Sequence, residues 1–96
     1  MLRDYFVAVI EATSSVVEVD ASSILSDCKT SEVVEARCIA IKILHDEGYS
    51  TQRIAKYFYK TEPGIRCILA SYDARLQSNP LIVRMVEEIK KKLSSK

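Results

Sequence analysis

Arg53, Lys56, Lys60, Thr61 and Arg66 all fall between residues 51 and 70. Lys and Arg neutralise phosphates, Arg can pair bidentately with guanine, and a Thr hydroxyl serves either phosphate or base. That chemistry is recognition of a nucleic acid rather than bond breaking. No nucleophile beside a base and no pair of carboxylates with a cleft can be named, so the chain reads as a non-enzyme. Two glycines cannot build a phosphate-cradling loop, and the single histidine, His45, would have to join thiolates spread over separate elements to hold zinc. Neither cofactor nor metal is expected.

Residues placed this way need two short helices across a tight turn. Ile54, Ala55 and Phe58 share one face of a first helix, and Ile65, Ile68, Leu69 and Tyr72 one face of a second. Ala55 is small enough to let two steeply crossed backbones approach. Ser50 is placed to cap the first helix, which should end near Tyr59. Thr61 or Glu62 starts the second, with Pro63 in the first turn, where its missing N–H is not needed. This is the pattern of a helix-turn-helix, whose second helix enters a groove. Lys60 then sits in the turn, Thr61 at the helix start, and Arg66 opposite Ile65, Ile68 and Tyr72. Arg66 either faces the groove or pairs with Glu62 four residues back. Arg53 and Lys56 either meet the phosphate backbone or are ordinary surface charges. Tyr59 occupies a turn position where many such motifs have Gly. A left-handed backbone there is strained, and an exposed tyrosine there is also a possible interface anchor.

The rest of the chain reads as a helical frame for this pair. Residues 2 to about 17 read as a first helix, with Phe6, Val9, Ile10 and Val17 at helical spacing, although Thr13 to Ser15 weaken its end and the β-branched Val16, Val17 and Val19 could be extended instead. Asp20 suits the N-cap of a short helix through Ile24 and Leu25, and Ser26 to Thr30 read as a loop. A helix capped by Thr30 or Ser31 runs to Glu47, with Gly48 as a left-handed stop. It is apolar on more than one side, the mark of a central helix. Asn79 and Pro80 open a last helix with Val83, Val86, Ile89 and Leu93 inward. The expected fold is all-α, five or six helices in one domain over residues 1–96, with Ile39, Ile43, Ile54, Phe58, Ile65, Ile68 and Val86 in the core. No apolar run approaches a membrane span, and the N-terminus has no signal-peptide pattern. Cys28, Cys38 and Cys67 are odd in number and form no CxxC pair, which suits reduced thiols and a cytoplasmic setting.

The net charge of +1 hides an uneven distribution. Residues 1–49 hold four bases against nine acids, a net −5, while residues 50–96 hold ten bases against four acids, a net +6. The positive half coincides with the two-helix motif, where a phosphate backbone would favour it. The Lys90-Lys91-Lys92 run is also what a helix C-terminus attracts through its macrodipole.

In this order the chain resembles the C-terminal DNA-binding domain of the bacterial replication initiator DnaA, over roughly residues 8 to 95. Ala36-Arg37-Cys38-Ile39-Ala40-Ile41-Lys42-Ile43-Leu44 is similar to the central helix of that family. Gly48-Tyr49-Ser50, Ile54 and Phe58 match its next helix, and the short Asp20 to Leu25 turn and the capped last helix fall in register. The resemblance implies a TrpR/DnaA-like helix-turn-helix, double-stranded DNA as partner, a role in replication initiation or transcription control, and Arg37 as a phosphate contact. Two elements depart from the family. Its basic loop is here Ser26-Asp27-Cys28-Lys29-Thr30, and its Gly-Gly-Arg-Asp-His-Thr-Thr-Val opening is here the shorter Tyr59-Lys60-Thr61-Glu62-Pro63-Gly64-Ile65. The alternative reading is therefore a helical module of this kind turned to protein–protein interaction.

Overall fold

Apolar periodicity and end signals divide the chain into six helices in the computed structural model, which describes residues 2–26 and 30–94. They are α1 (Leu2–Val17), α2 (Ala21–Leu25), α3 (Ser31–Asp46), α4 (Thr51–Tyr57), α5 (Glu62–Ser78) and α6 (Leu81–Ser94). The described residues contain no strand, as the all-α expectation required. Most of the expected loop, Cys28 included, lies outside the described residues.

The apolar breadth of α3 has the consequence anticipated from its sequence: it packs against each of the other five helices. Ala36, Ile39, Ala40, Ile41, Ile43 and Leu44 are completely buried, so solvent reaches little of its middle. On one side α3 meets α1, which also packs along α6; on another it meets α5, which carries α4. The core joins these layers through Phe6, Val9 and Ile10 of α1, Ile54 of α4, Ile65 of α5, and Ile82 and Ile89 of α6, with Phe58 from the α4–α5 connection.

Three helices end at a single left-handed residue. The N–H of Tyr49 bonds to the Leu44 carbonyl and that of Gly48 to His45, with Gly48 at φ 102°. The N–H of Lys60 bonds to the Ala55 carbonyl and that of Tyr59 to Lys56, with Tyr59 at φ 58°. Val19 reaches back to Ser14, with Glu18 at φ 62°. The paired bonds at α3 and α4 are the Schellman pattern, which turns the chain through one left-handed residue and satisfies carbonyls of the last turn. Only at Gly48 does the residue type announce the stop.

The first helix runs to Val17 as expected, Val16 and Val17 included: Thr13, fully buried, donates its hydroxyl to the Val9 carbonyl at 2.7 Å, so it is satisfied without breaking α1. Other local expectations are corrected. Asp20 stands at the N-cap position of α2, but its side chain makes no capping bond. Val83 is 43% exposed, and fully buried Ile82 takes the inward place. Asn79 explains the phase: its side-chain oxygen accepts the Leu81 N–H at 3.2 Å and its amide nitrogen donates to Glu35 of α3 at 3.5 Å. Pinned at that corner, α6 turns Ile82, Val86, Ile89 and Leu93 inward at helical spacing. Ile68 and Val86 pack at the edge of the core rather than in its buried centre.

Candidate nucleic-acid interface

The helices that carry the basic residues are fixed at both ends of their connection. Ser50 caps α4, its hydroxyl accepting the Arg53 N–H at 3.2 Å. Thr61 caps α5, its hydroxyl accepting the Gly64 N–H at 3.2 Å. A Cβ added at Gly64 would lie 3.2 Å from that same oxygen, so the small residue suits the cap. Pro63 falls in the first turn, as its ring requires. Ala55 is 4% exposed and is buried with Ile54 and Phe58 in the common core.

Glu62 closes the joint between them. One carboxylate oxygen accepts the Thr51 hydroxyl of α4 at 2.7 Å and the Arg66 guanidinium of α5 at 3.0 Å. The first residue of one helix thus ties down the first residue of the other. The Thr51 hydrogen bond, chiefly, and then the Arg66 charge hold the Glu62 carboxyl below its ordinary value against partial desolvation. Charge-assisted hydrogen bonds of this kind are shorter and stronger than neutral ones.

The residues read as DNA contacts have different fates. Arg37 is 6% exposed and does not face solvent. Its Nε donates to the Ile24 carbonyl at 2.8 Å, and its terminal nitrogen to the carbonyls of Ser26 and Ser23. A cation at a helix C-terminus meets carbonyls that have no intrahelical partner, so Arg37 joins α2 to α3 from within. A phosphate could reach it only by breaking those bonds. Arg53 is exposed, with its guanidinium 5.7 Å from the centre of the Tyr49 ring. Lys56 is exposed on α4, and Lys60 is half-buried where the chain leaves the left-handed turn. Thr61 is exposed and serves as the cap. Arg66 projects from α5 with its side chain 70% exposed, paired to Glu62 as the second of its two readings anticipated.

Two features of this surface were not anticipated. The Thr51–Glu62 bond spans eleven residues of sequence and has no signature beyond two ordinary surface residue types. The other is an aromatic cluster that reaches both ends of α4. Tyr5 stacks on Tyr49 at 5.8 Å, and Phe6 meets Tyr49 edge-on at 4.7 Å and Tyr57 at 4.8 Å. Burial, with Glu47 beside it, pushes the Tyr5 hydroxyl up to about 12. Tyr5, Phe6, Tyr49 and Tyr57 thus join α1 to the α4 segment, whereas Tyr72 is buried on α5 with Lys42 over its ring and Tyr59 is 87% exposed. Its backbone is left-handed, as the strained reading of that turn described.

Among the described residues, no helix is long and apolar enough to cross a membrane. Cys38 is buried and Cys67 exposed, both as free thiols. Compared with protein-family models and with curated proteins, the chain matches none of them.

Proposed function

We propose that this chain is a helix-turn-helix DNA-binding domain of the DnaA C-terminal kind, acting in replication initiation or transcription control. The observation that carries the reading is the coincidence of two features. A capped and clamped helix pair, α4 and α5, presents Arg53, Lys56 and Arg66 to solvent, and it lies in the half of the chain that carries the net +6. The order of six helices with α3 at the centre supports the same reading. So do the exposed N-terminal turns of α5, the element that enters the major groove in motifs of this class.

Binding on this reading is driven by phosphate contacts. With Arg37 engaged inside the fold and Arg66 held by Glu62, contacts from Arg53, Lys56 and Lys60 give a slope of log affinity against log salt of about −2.7. The affinity for random duplex falls at roughly 10⁻⁴ to 10⁻⁶ M. Fluorescence anisotropy with labelled duplex across a salt series measures both. Lys56→Ala should weaken binding to all sequences alike and bring the slope about 0.9 closer to zero. Binding that is independent of salt would overturn the phosphate-driven account.

A second reading, a protein-interaction module on the same frame, is favoured by Tyr59. A tyrosine 87% exposed on a left-handed turn retains backbone strain without using its ring in the fold. Tyrosine is a frequent anchor in protein interfaces. Absence of duplex binding at about 50 mM salt, together with a protein partner whose binding is lost in Tyr59→Ala, would establish this reading instead.

A further inference from the structure

Arg66 and Glu62 have a relation that a DNA-reading helix does not require. Arg66 is the exposed cation of the first two turns of α5, and its charge is met at 3.0 Å by a carboxylate on the same helix. An ordinary surface pair at this spacing exchanges readily with water and contributes little. This carboxylate is not free to swing away, because the oxygen that meets Arg66 is also bonded to the Thr51 hydroxyl at 2.7 Å. Thr51 is itself the first residue of α4, whose start is capped by Ser50 and braced by Tyr49. The negative charge is therefore held by the joint between the two helices.

We propose that Glu62 is a built-in competitor for DNA: anchored by Thr51, it masks Arg66 and sets how tightly the domain holds duplex. The inference rests on the DNA-binding reading above and deepens it. A phosphate approaching the start of α5 meets a neutralised guanidinium and a fixed carboxylate rather than a free cation. Removing the negative charge releases Arg66 to act as one further phosphate contact. One such contact changes the slope of log affinity against log salt by about −0.9, which corresponds to about an eight-fold gain at 0.1 M salt that vanishes near 1 M. Glu62 thereby lowers affinity for arbitrary duplex, which leaves a larger share of discrimination to contacts that displace it.

The test is a double-mutant cycle read by anisotropy with random-sequence duplex over a salt series. Glu62→Gln retains an oxygen that can accept from Thr51 but removes the charge, and urea unfolding reports whether the fold is kept. Glu62→Ala, which also removes the anchor, serves as a second unmasked variant. The proposal expects Glu62→Gln to bind about five- to ten-fold more tightly at 0.1 M salt, with the slope steeper by about 0.9. In an Arg66→Ala background, the same change should gain less than about two-fold. Equal affinity of the parent protein and both unmasked variants overturns the masking role and leaves the DNA-binding reading intact. So does a gain that persists without Arg66, which would mark Glu62 as a general repulsive charge. If none of the variants binds duplex at any salt, the DNA-binding reading itself falls, and the masking role with it.

Discussion

Tyr59 and Gly48 do the same job with opposite chemistry. Each is the single left-handed residue that ends a helix, at φ 58° and φ 102°. For an L-residue that conformation costs about 1–2 kcal/mol, of which glycine is spared. Tyr59→Gly should therefore raise stability by about 0.5–1 kcal/mol after the extra backbone entropy of glycine is deducted, read as a shift in the urea midpoint. Gly48→Ala should lower it by about 1–2 kcal/mol. An added Cβ at Gly48 meets nothing within 4 Å, so that cost is one of backbone conformation alone. Arg37 gives a residue-scale prediction of another sort. Arg37→Ala removes the donor to the carbonyl of buried Ile24, together with the bonds to Ser26 and Ser23, and should cost about 1–3 kcal/mol in chemical denaturation. The duplex affinity of the folded protein should be unchanged, whereas a phosphate contact would show the reverse pattern. Glu62 adds a pH dependence. Its carboxyl value is lowered in the fold, so its stabilisation is complete above the ordinary carboxylate range and is lost as pH falls through the lowered value. Urea unfolding of Glu62→Gln should accordingly show a shallower loss of stability on acidification than the parent protein.

At the scale of the element, the interior is set by which residue of a helix takes the inward phase. Ile82 and Val83 are neighbours in α6, yet one is fully buried and the other 43% exposed. Ile82→Ala should cost about 2–5 kcal/mol and Val83→Ala under about 1 kcal/mol, a contrast that thermal unfolding resolves. Ile39→Ala, at a fully buried position in the middle of α3, belongs with the larger losses at about 2–5 kcal/mol. Helix existence was legible in these segments because period, caps and stops act within four residues: Ser50, Thr61, Pro63, Asn79 and Gly48 each marked an end that the structure has. Phase was less legible in α6, where Leu81, Ile82 and Val83 are consecutive apolar residues and any of them can begin a stripe. The bonds of Asn79 to Leu81 and to Glu35 of α3 select among them, and the second of these comes from a helix more than forty residues away.

For the molecule as a whole, the sequence alone determined the all-helical class, the central place of α3 and the segregation of charge. Periodic apolar residues, caps and counts of charged side chains are properties of the chain before it folds. The tertiary structure decided which of the charged residues is available to a ligand. Arg37 has the same side chain as Arg53, and nothing within four residues of it predicts burial. It is turned inward because α2 brings the carbonyls of its C-terminal end against α3, eleven to fourteen residues away in sequence. Arg66 is masked for a partly local reason, the i−4 spacing of Glu62, but the mask is held in place by Thr51, which reaches Glu62 only when α4 folds back on α5. A side chain's type fixes the interactions it can make. Its accessibility, and the partner it takes among several, depend on surfaces that exist only after distant segments have packed together.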